Sequence, residues 1–269
     1  MNTWTIAHPT LPTLSDLHAL VSDPAEAAER TRQTRQRLEN GQLKLEQWLI
    51  LRDVRGVEGV ALISANSRVP TIPRFRRDVS PAHFTALLRA VHHRAGPQGR
   101  LVLQEDLAPM NWDAAAAAGW HIDSEELIYQ TDLRGRLATP EPDARSLRTT
   151  DLDRPDLQAL LAALDRADLS LPDDWTLVGL PAADGTLVAL GACGPARPGT
   201  GGIDLIGVHP AYRGRGLGKR LHAYLLGCLA GQCSDHSGVT GADNLAMRGV
   251  FAASGSQHIH TQLYFRALP

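Results

Sequence analysis

The sequence predicts a mixed α/β protein built from two similar halves. Strand-like and helix-like segments alternate along all 269 residues. The order of segments recurs at a constant offset, and a stretch with two prolines and no apolar pattern separates the two runs.

In the first half, Asp23-Pro24 starts a helix, with Asp as cap and Pro at its first position, followed by a charged, solvated stretch to about Asn40. Trp48–Leu51 and Val57–Ile63 are strands around the turn Arg55-Gly56. Ser80-Pro81 opens a helix whose Phe84, Leu87, Leu88 and Val91 share one face. Arg100–Gln104 is a strand, Ala114–Ala118 a helix stopped by Gly119, and Glu126–Thr131 the closing strand.

The interruption covers residues 134–145 and holds Pro140 and Pro142. The chain therefore divides into a first domain at 1–135, a linker at 136–145 and a second domain at 146–269. In the second half, Pro155–Asp165 is a helix, and Trp175–Leu180 and Thr186–Cys193 are strands around Asp184-Gly185. Ile203–Val208 is a strand, and Leu217–Leu229 is a helix with Leu217, Leu221, Tyr224, Leu225 and Cys228 on one face. Asn244–Ser254 is a helix stopped by Gly255, and Ile259–Arg266 is the last strand. Subtracting 137 places Pro210 on Pro73, Arg213 on Arg76, Leu221 on Phe84 and Leu225 on Leu88. The pattern reads as a diverged duplication.

A net charge of −2 argues against a protein built around nucleic-acid phosphates. No apolar run approaches the length needed to cross a bilayer. The start Met1-Asn2-Thr3-Trp4 lacks the pattern of a signal peptide, and Cys193, Cys228 and Cys233 make no disulfide framework. A cytoplasmic protein is expected, as monomer or homodimer.

The chemistry concentrates at Val208–Gly218, where a buried strand meets a proline, a glycine-rich turn and an amphipathic helix. Glycines permit close backbone approach, and the first amides of a helix have no internal partner. With the helix dipole, they form an anion seat. Arg213, Arg215, Lys219 and Arg220 add positive charge. The segment lacks the glycine spacing of dinucleotide folds and of the P-loop.

Arg213, Gly216 and Gly218, with Val208 and Pro210 ahead of them, resemble the Gln/Arg-x-x-Gly-x-Gly/Ala signature of the GCN5-related N-acetyltransferase (GNAT) family. Asn244, Met247 and Gly255 resemble the family's Asn-x-x-Met/Ala…Gly ending. The resemblance implies tandem GNAT-like domains with acetyl-CoA as acyl donor and no metal. The acceptor would be an amine, on a small molecule or a protein N-terminus, attacking the thioester directly. Gly214, Arg215, Leu217 and Lys219 would join Arg213, Gly216 and Gly218 around the pyrophosphate, with Ile206 and Val208 along pantetheine. Asn244 would bond pantetheine or simply cap its helix.

The family often places a tyrosine acid seven residues after the Asn, but this chain has Phe251 there. Tyr224 and Tyr264 are the alternative donors, each also explained as core packing. Asp204 alternates onto the face of Ile206 and Val208 and is the candidate base, or else a solvent-facing strand residue. A catalytically impaired CoA-binding or structural protein is the rival reading, which Phe251 favours. A zinc site from Cys228, Cys233, His236, His258 and His260 has no supporting ligand spacing, and Cys193 reads as core. On the 137-residue offset, Gly216 falls on Val79 and Gly218 on Pro81, so the first half reads as a degenerate copy without a phosphate turn.

Overall fold

Capping and period place most elements where the sequence expects them. The computed structural model describes residues 4–64, 66, 69–137 and 140–268. Met1, Asn2 and Thr3 of the N-terminal expectation, and Ala138 and Thr139 of the expected linker, lie outside the described residues. The chain begins with β1 (Thr5–Ala7), α1 (Pro24–Glu39), β2 (Trp48–Asp53), β3 (Gly56–Leu62), β4 (Arg74–Phe75) and α2 (Pro81–Ala95). It continues with β5 (Arg100–Gln104), α3 (Trp112–Ala117), β6 (Trp120–Asp132), β7 (Arg145–Leu147), α4 (Pro155–Ala163) and β8 (Thr176–Pro181). It ends with β9 (Leu187–Arg197), β10 (Thr200–Val208), α5 (Leu217–Ala230), β11 (Asp235–Gly241), α6 (Leu245–Ala253) and β12 (Gln257–Ala267).

Several helix starts have identifiable side-chain caps. Asp23 accepts from Ala25 N, Ser80 from His83 N and Asn244 from Met247 N. Such caps stabilise a helix by about 0.5–2 kcal/mol relative to alanine. No helix among the described residues is long and apolar enough to cross a membrane.

The first compact unit comprises residues up to Glu126 together with those from His260 on. Its β1, β2, β3 and β4 form an antiparallel sheet in sequence order. In the same unit β5 pairs antiparallel with β12, from Gln104 opposite Gln262 to Arg100 opposite Arg266. Phe84, Leu87, Leu88 and Val91 of α2 are buried in one core with Leu101, Leu103, Leu263 and Phe265. Each such side chain contributes about 1.5–3 kcal/mol by burial.

The second unit is Leu127–Ile259. Its strand order is β6-β11-β10-β9-β8-β7. Leu221, Leu225, Leu226 and Leu229 of α5 pack on Val178 and Leu180 of β8 and Ala189 and Cys193 of β9. Leu217, Tyr224 and Cys228, expected on the same face, are only partly buried beside this core.

The units depart from the boundaries expected at 1–135 and 146–269. The end of β12 lies in the first unit, paired with β5, whereas β6 from Leu127 on lies in the second. β6 begins directly after Gly119 and β12 two residues after Gly255, both glycines having a left-handed backbone. Which unit each strand end joins is determined by long-range pairing. Part of the expected linker at 136–145 is structured as well. Arg145 opens β7 and pairs opposite Gly179 of β8.

Candidate active site

The site begins where two parallel strands part. β10 and β11 pair only through Thr200–Asp235, Gly201–His236 and Gly202–Ser237. Beyond them the strands separate around a cavity of about 620 Å³, within the range of small-molecule sites. Ile206 and Val208 line it from β10, and Gly238 to Thr240 line it from β11. Between Ile203 and Leu205 the pairing of β10 with β9 shifts register, a bulge that contains Asp204.

The glycine-rich turn closes one end of the cavity, which Arg213, Gly214 and Leu217 line. Gly214 and Gly216 have φ of 76° and 79°, a conformation that side chains with a Cβ rarely adopt. Alternation of ordinary and left-handed residues turns successive amides toward one point, an anion-binding concavity. The first bond of α5 runs from Arg220 N to the Gly216 carbonyl at 3.1 Å. The amides of Leu217, Gly218 and Lys219 therefore precede the helical ladder, and the cap residue Gly216 has no side chain to occupy them.

The basic residues of the turn differ in availability. Arg213 Nε donates to the neutral Val208 carbonyl at 3.1 Å. Arg215 lies over the Tyr212 ring, 5.0 Å from its centroid. Arg220 is tied to Glu141 at 2.5 Å and Asp143 at 3.1 Å, both in the expected linker.

Of the remaining residues singled out by sequence, Asp204, Asn244 and Phe251 line the cavity; Arg215, Gly216, Gly218 and Lys219 do not. Asn244 accepts from Met247 N at 3.0 Å, so it acts as the helix cap. Asp204 is half-exposed and accepts from Arg166 Nη2 at 2.8 Å. Tyr224 and Tyr264 are absent from the cavity wall; Tyr264 donates to Gln262 Oε1 at 2.8 Å within the first unit. Phe251 is buried and stacks on Tyr129, with ring centroids 4.3 Å apart. A Cβ at Gly238 would meet the Phe251 ring at 2.6 Å, so only glycine lets the ring lie this close to β11.

Two residues missed as a pair by sequence reasoning stand at the inner end. His222 of α5 and His236 of β11 line the cavity and are almost fully buried, with ring centroids 5.6 Å apart. Their signal in the sequence was polarity at a core-facing position of α5 and in a strand, without a visible partner. Burial, then His236, then Arg136 lower the pKa of His222 to about 3. Burial, then Arg136, lower that of His236 to about 4. Both rings are neutral at ordinary pH.

This arrangement has a consequence for stability. The unfolded chain binds protons at these imidazoles near pH 6.5, whereas the folded chain resists them down to about pH 3–4. Above pH 6.5 the two states do not differ; below it the unfolded state gains protons first, and stability falls. The limiting slope is about 1.4 kcal/mol per pH unit for each imidazole. Urea unfolding from pH 7 to pH 4 should show a shallower loss for His222→Gln than for wild type. Equal slopes would mean that His222 is not held neutral.

The acetyltransferase (GNAT) family model matches residues 142–255. This segment is similar to the GNAT-family domain over the matched residues. The whole chain also shares its fold with solved members. A GCN5-related N-acetyltransferase from Sphaerobacter thermophilus gives a TM-score of 0.57 at 13% identity, over 98% of this chain and 95% of that one. A GNAT-family acetyltransferase from Colwellia psychrerythraea gives 0.51 at 15% identity, over 82% and 85%. A GCN5-related N-acetyltransferase from Kribbella flavida gives 0.50 at 19%, over 78% and 87%. At such identities the likeness is one of fold. No curated protein matches the sequence.

Proposed function

We propose that the second unit binds acetyl-CoA and transfers its acetyl group to an amine by direct attack. The observation that carries this reading is the side-chain-free start of α5, with two left-handed glycines before it, opening on the cleft between β10 and β11. Pyrophosphate would accept from the amides of Gly214 to Lys219, with Arg213 and Arg215 beside it. Pantetheine would follow β10 along Ile206 and Val208, and the thioester would lie deeper, toward Phe251. The Asp204–Arg166 pair at the cavity wall gives the incoming amine a carboxylate to approach. Asp204 would take up the surplus proton, directly or through water. The acceptor is a small-molecule amine or a protein N-terminus. The rival, a CoA-binding protein without turnover, draws support from Phe251 in the expected acid position.

The first unit is proposed as a degenerate copy with no CoA of its own. There Arg76, the counterpart of Arg213, is engaged by Glu58 and by Asp78. The start of α2 is capped by the Ser80 hydroxyl, and Pro81 brings no amide. Carboxylates of the chain itself thus occupy the arginine that a phosphate would use. Calorimetric titration with acetyl-CoA should give one site per chain, and an amine panel should yield turnover. Two equivalent sites would overturn the one-site reading, and binding without any turnover would favour the rival.

A further inference from the structure

The two imidazoles at the inner end of the cavity have no task in the scheme above. Each ring is fixed through Nδ1. His222 Nδ1 lies 2.6 Å from Ser254 Oγ, and His236 Nδ1 lies 3.2 Å from Thr131 Oγ1. Thr131 Oγ1 is in turn 2.7 Å from Ser256 Oγ. With Ser256 donating to Thr131, Thr131 to His236, and Ser254 to His222, both Nδ1 atoms accept. Each neutral ring then carries its proton on Nε2. The Nε2 atoms of His222 and His236 are buried and have no hydrogen-bond partner among the described residues. A buried N–H without a partner is costly, and a ligand that supplies an acceptor removes that cost.

Transfer from a thioester to an amine produces such an acceptor, because the departing sulfur becomes a thiolate. Two other donors in the cavity wall are poorly disposed to meet it. Asn244 is fixed as a helix cap, and Tyr212 lies under the Arg215 guanidinium. Phe251 brings no hydroxyl, and its ring packs on both imidazoles, with centroids 5.4 Å from His222 and 6.4 Å from His236.

We propose that His222 and His236 donate their Nε2–H groups to the CoA sulfur as it departs, stabilising it as a thiolate in place of a protonating acid. This rests on the acyltransferase reading. In the step, the amine nitrogen bonds to the acyl carbon, the C–S bond breaks, and its electron pair goes to sulfur. The surplus amine proton passes to Asp204 or to water, and the thiolate takes up its own proton after release. The charged group felt by both rings is Arg136, whose sign also favours an anion. Tyr129 lies against Phe251, and His258 against Tyr129. A neutral imidazole held by burial is suited to donation in this way, since it polarises without leaving a buried cation behind.

The test needs no acceptor amine. CoA bound to the protein is titrated with base, and its thiolate is followed by ultraviolet absorption. Desulfo-CoA, which lacks the sulfur, is the probe for binding alone. In wild type the bound thiol should ionise at least one pH unit below free CoA, about a tenfold preference for thiolate. His222→Leu and His236→Leu should lose most of this shift and bind desulfo-CoA as wild type does. His222→Gln and His236→Gln, which keep an N–H, should retain part of it. If desulfo-CoA fails to bind wild type, the CoA reading itself is wrong. If it binds, and the thiol ionises alike in wild type and both leucine variants, the donor proposal is wrong.

Discussion

Gly216→Val is expected to weaken acetyl-CoA binding by at least about 100-fold while leaving the chain folded. Gly216 caps α5 at φ 79° and ψ 0°. A Cβ there would meet nothing within 4 Å, so no clash arises in the folded protein. The penalty is conformational instead. A β-branched residue held in the left-handed region costs on the order of 1–3 kcal/mol. The turn relieves it by changing φ, and the amides before and after residue 216 then no longer converge. Each hydrogen bond to a charged group contributes about 1.5–3 kcal/mol. Losing two of them corresponds to roughly two to four decades in Kd. Gly218→Ala is the matched control, because its added Cβ would make ordinary contacts with Val208 and Val250 at 3.9 Å. Thermal stabilisation by acetyl-CoA reads both variants, since it follows RT ln(1 + [L]/Kd). Unchanged stabilisation in Gly216→Val would place the pyrophosphate elsewhere.

That turn was legible in the sequence because it is local. Glycine spacing, the proline ahead of it and the apolar face of the following helix all lie within a few turns of chain. The caps Asp23, Ser80 and Asn244 were legible for the same reason. What remained hidden depends on pairing across long separations. β7 is short and mostly exposed, so it carries no alternation to detect. The pairing of β12 with β5 shows only when Gln262 is seen opposite Gln104. Asp204 could be read as a free carboxylate until Arg166 was placed beside it. His222 and His236 are 14 positions apart in sequence, on a helix and a strand, and nothing local announces that their rings meet. Phe251 was recognised as a missing hydroxyl, but its packing beside both imidazoles comes from the fold.

The largest stability effect is expected at Glu58, in the first unit. Its side chain is fully buried, yet it is a carboxylate. It accepts from Arg55 at 2.7 Å and also contacts Arg76 and His83. Arg55 further reaches Asp53 at 3.1 Å and Asp78 at 2.8 Å, and Arg76 reaches Asp78 at 2.6 Å. Asp53, Glu58 and His83 bring their ligand atoms close together, as a metal site would. Two guanidinium groups already supply the positive charge in this cluster, so a further cation would be repelled. Removing one partner of a buried ion pair costs about 3–5 kcal/mol, because the opposite charge is left without compensation. Glu58→Ala should approach the lower end, since Arg55 is half-exposed and turns to water. Glu58→Gln keeps an acceptor for one guanidinium and should lose less. Four of the five tryptophans, Trp4, Trp48, Trp112 and Trp120, belong to the first unit, so fluorescence during urea unfolding reports mainly on it. A loss below about 1 kcal/mol in Glu58→Ala would show that the cluster is no more than an ordinary surface network. The same variant separates two accounts of the first unit. If carboxylates alone kept phosphate from Arg76, removing Glu58 would create a second CoA site. The capped start of α2, with Ser80 on the His83 amide and Pro81 in place of an amide donor, predicts that none appears.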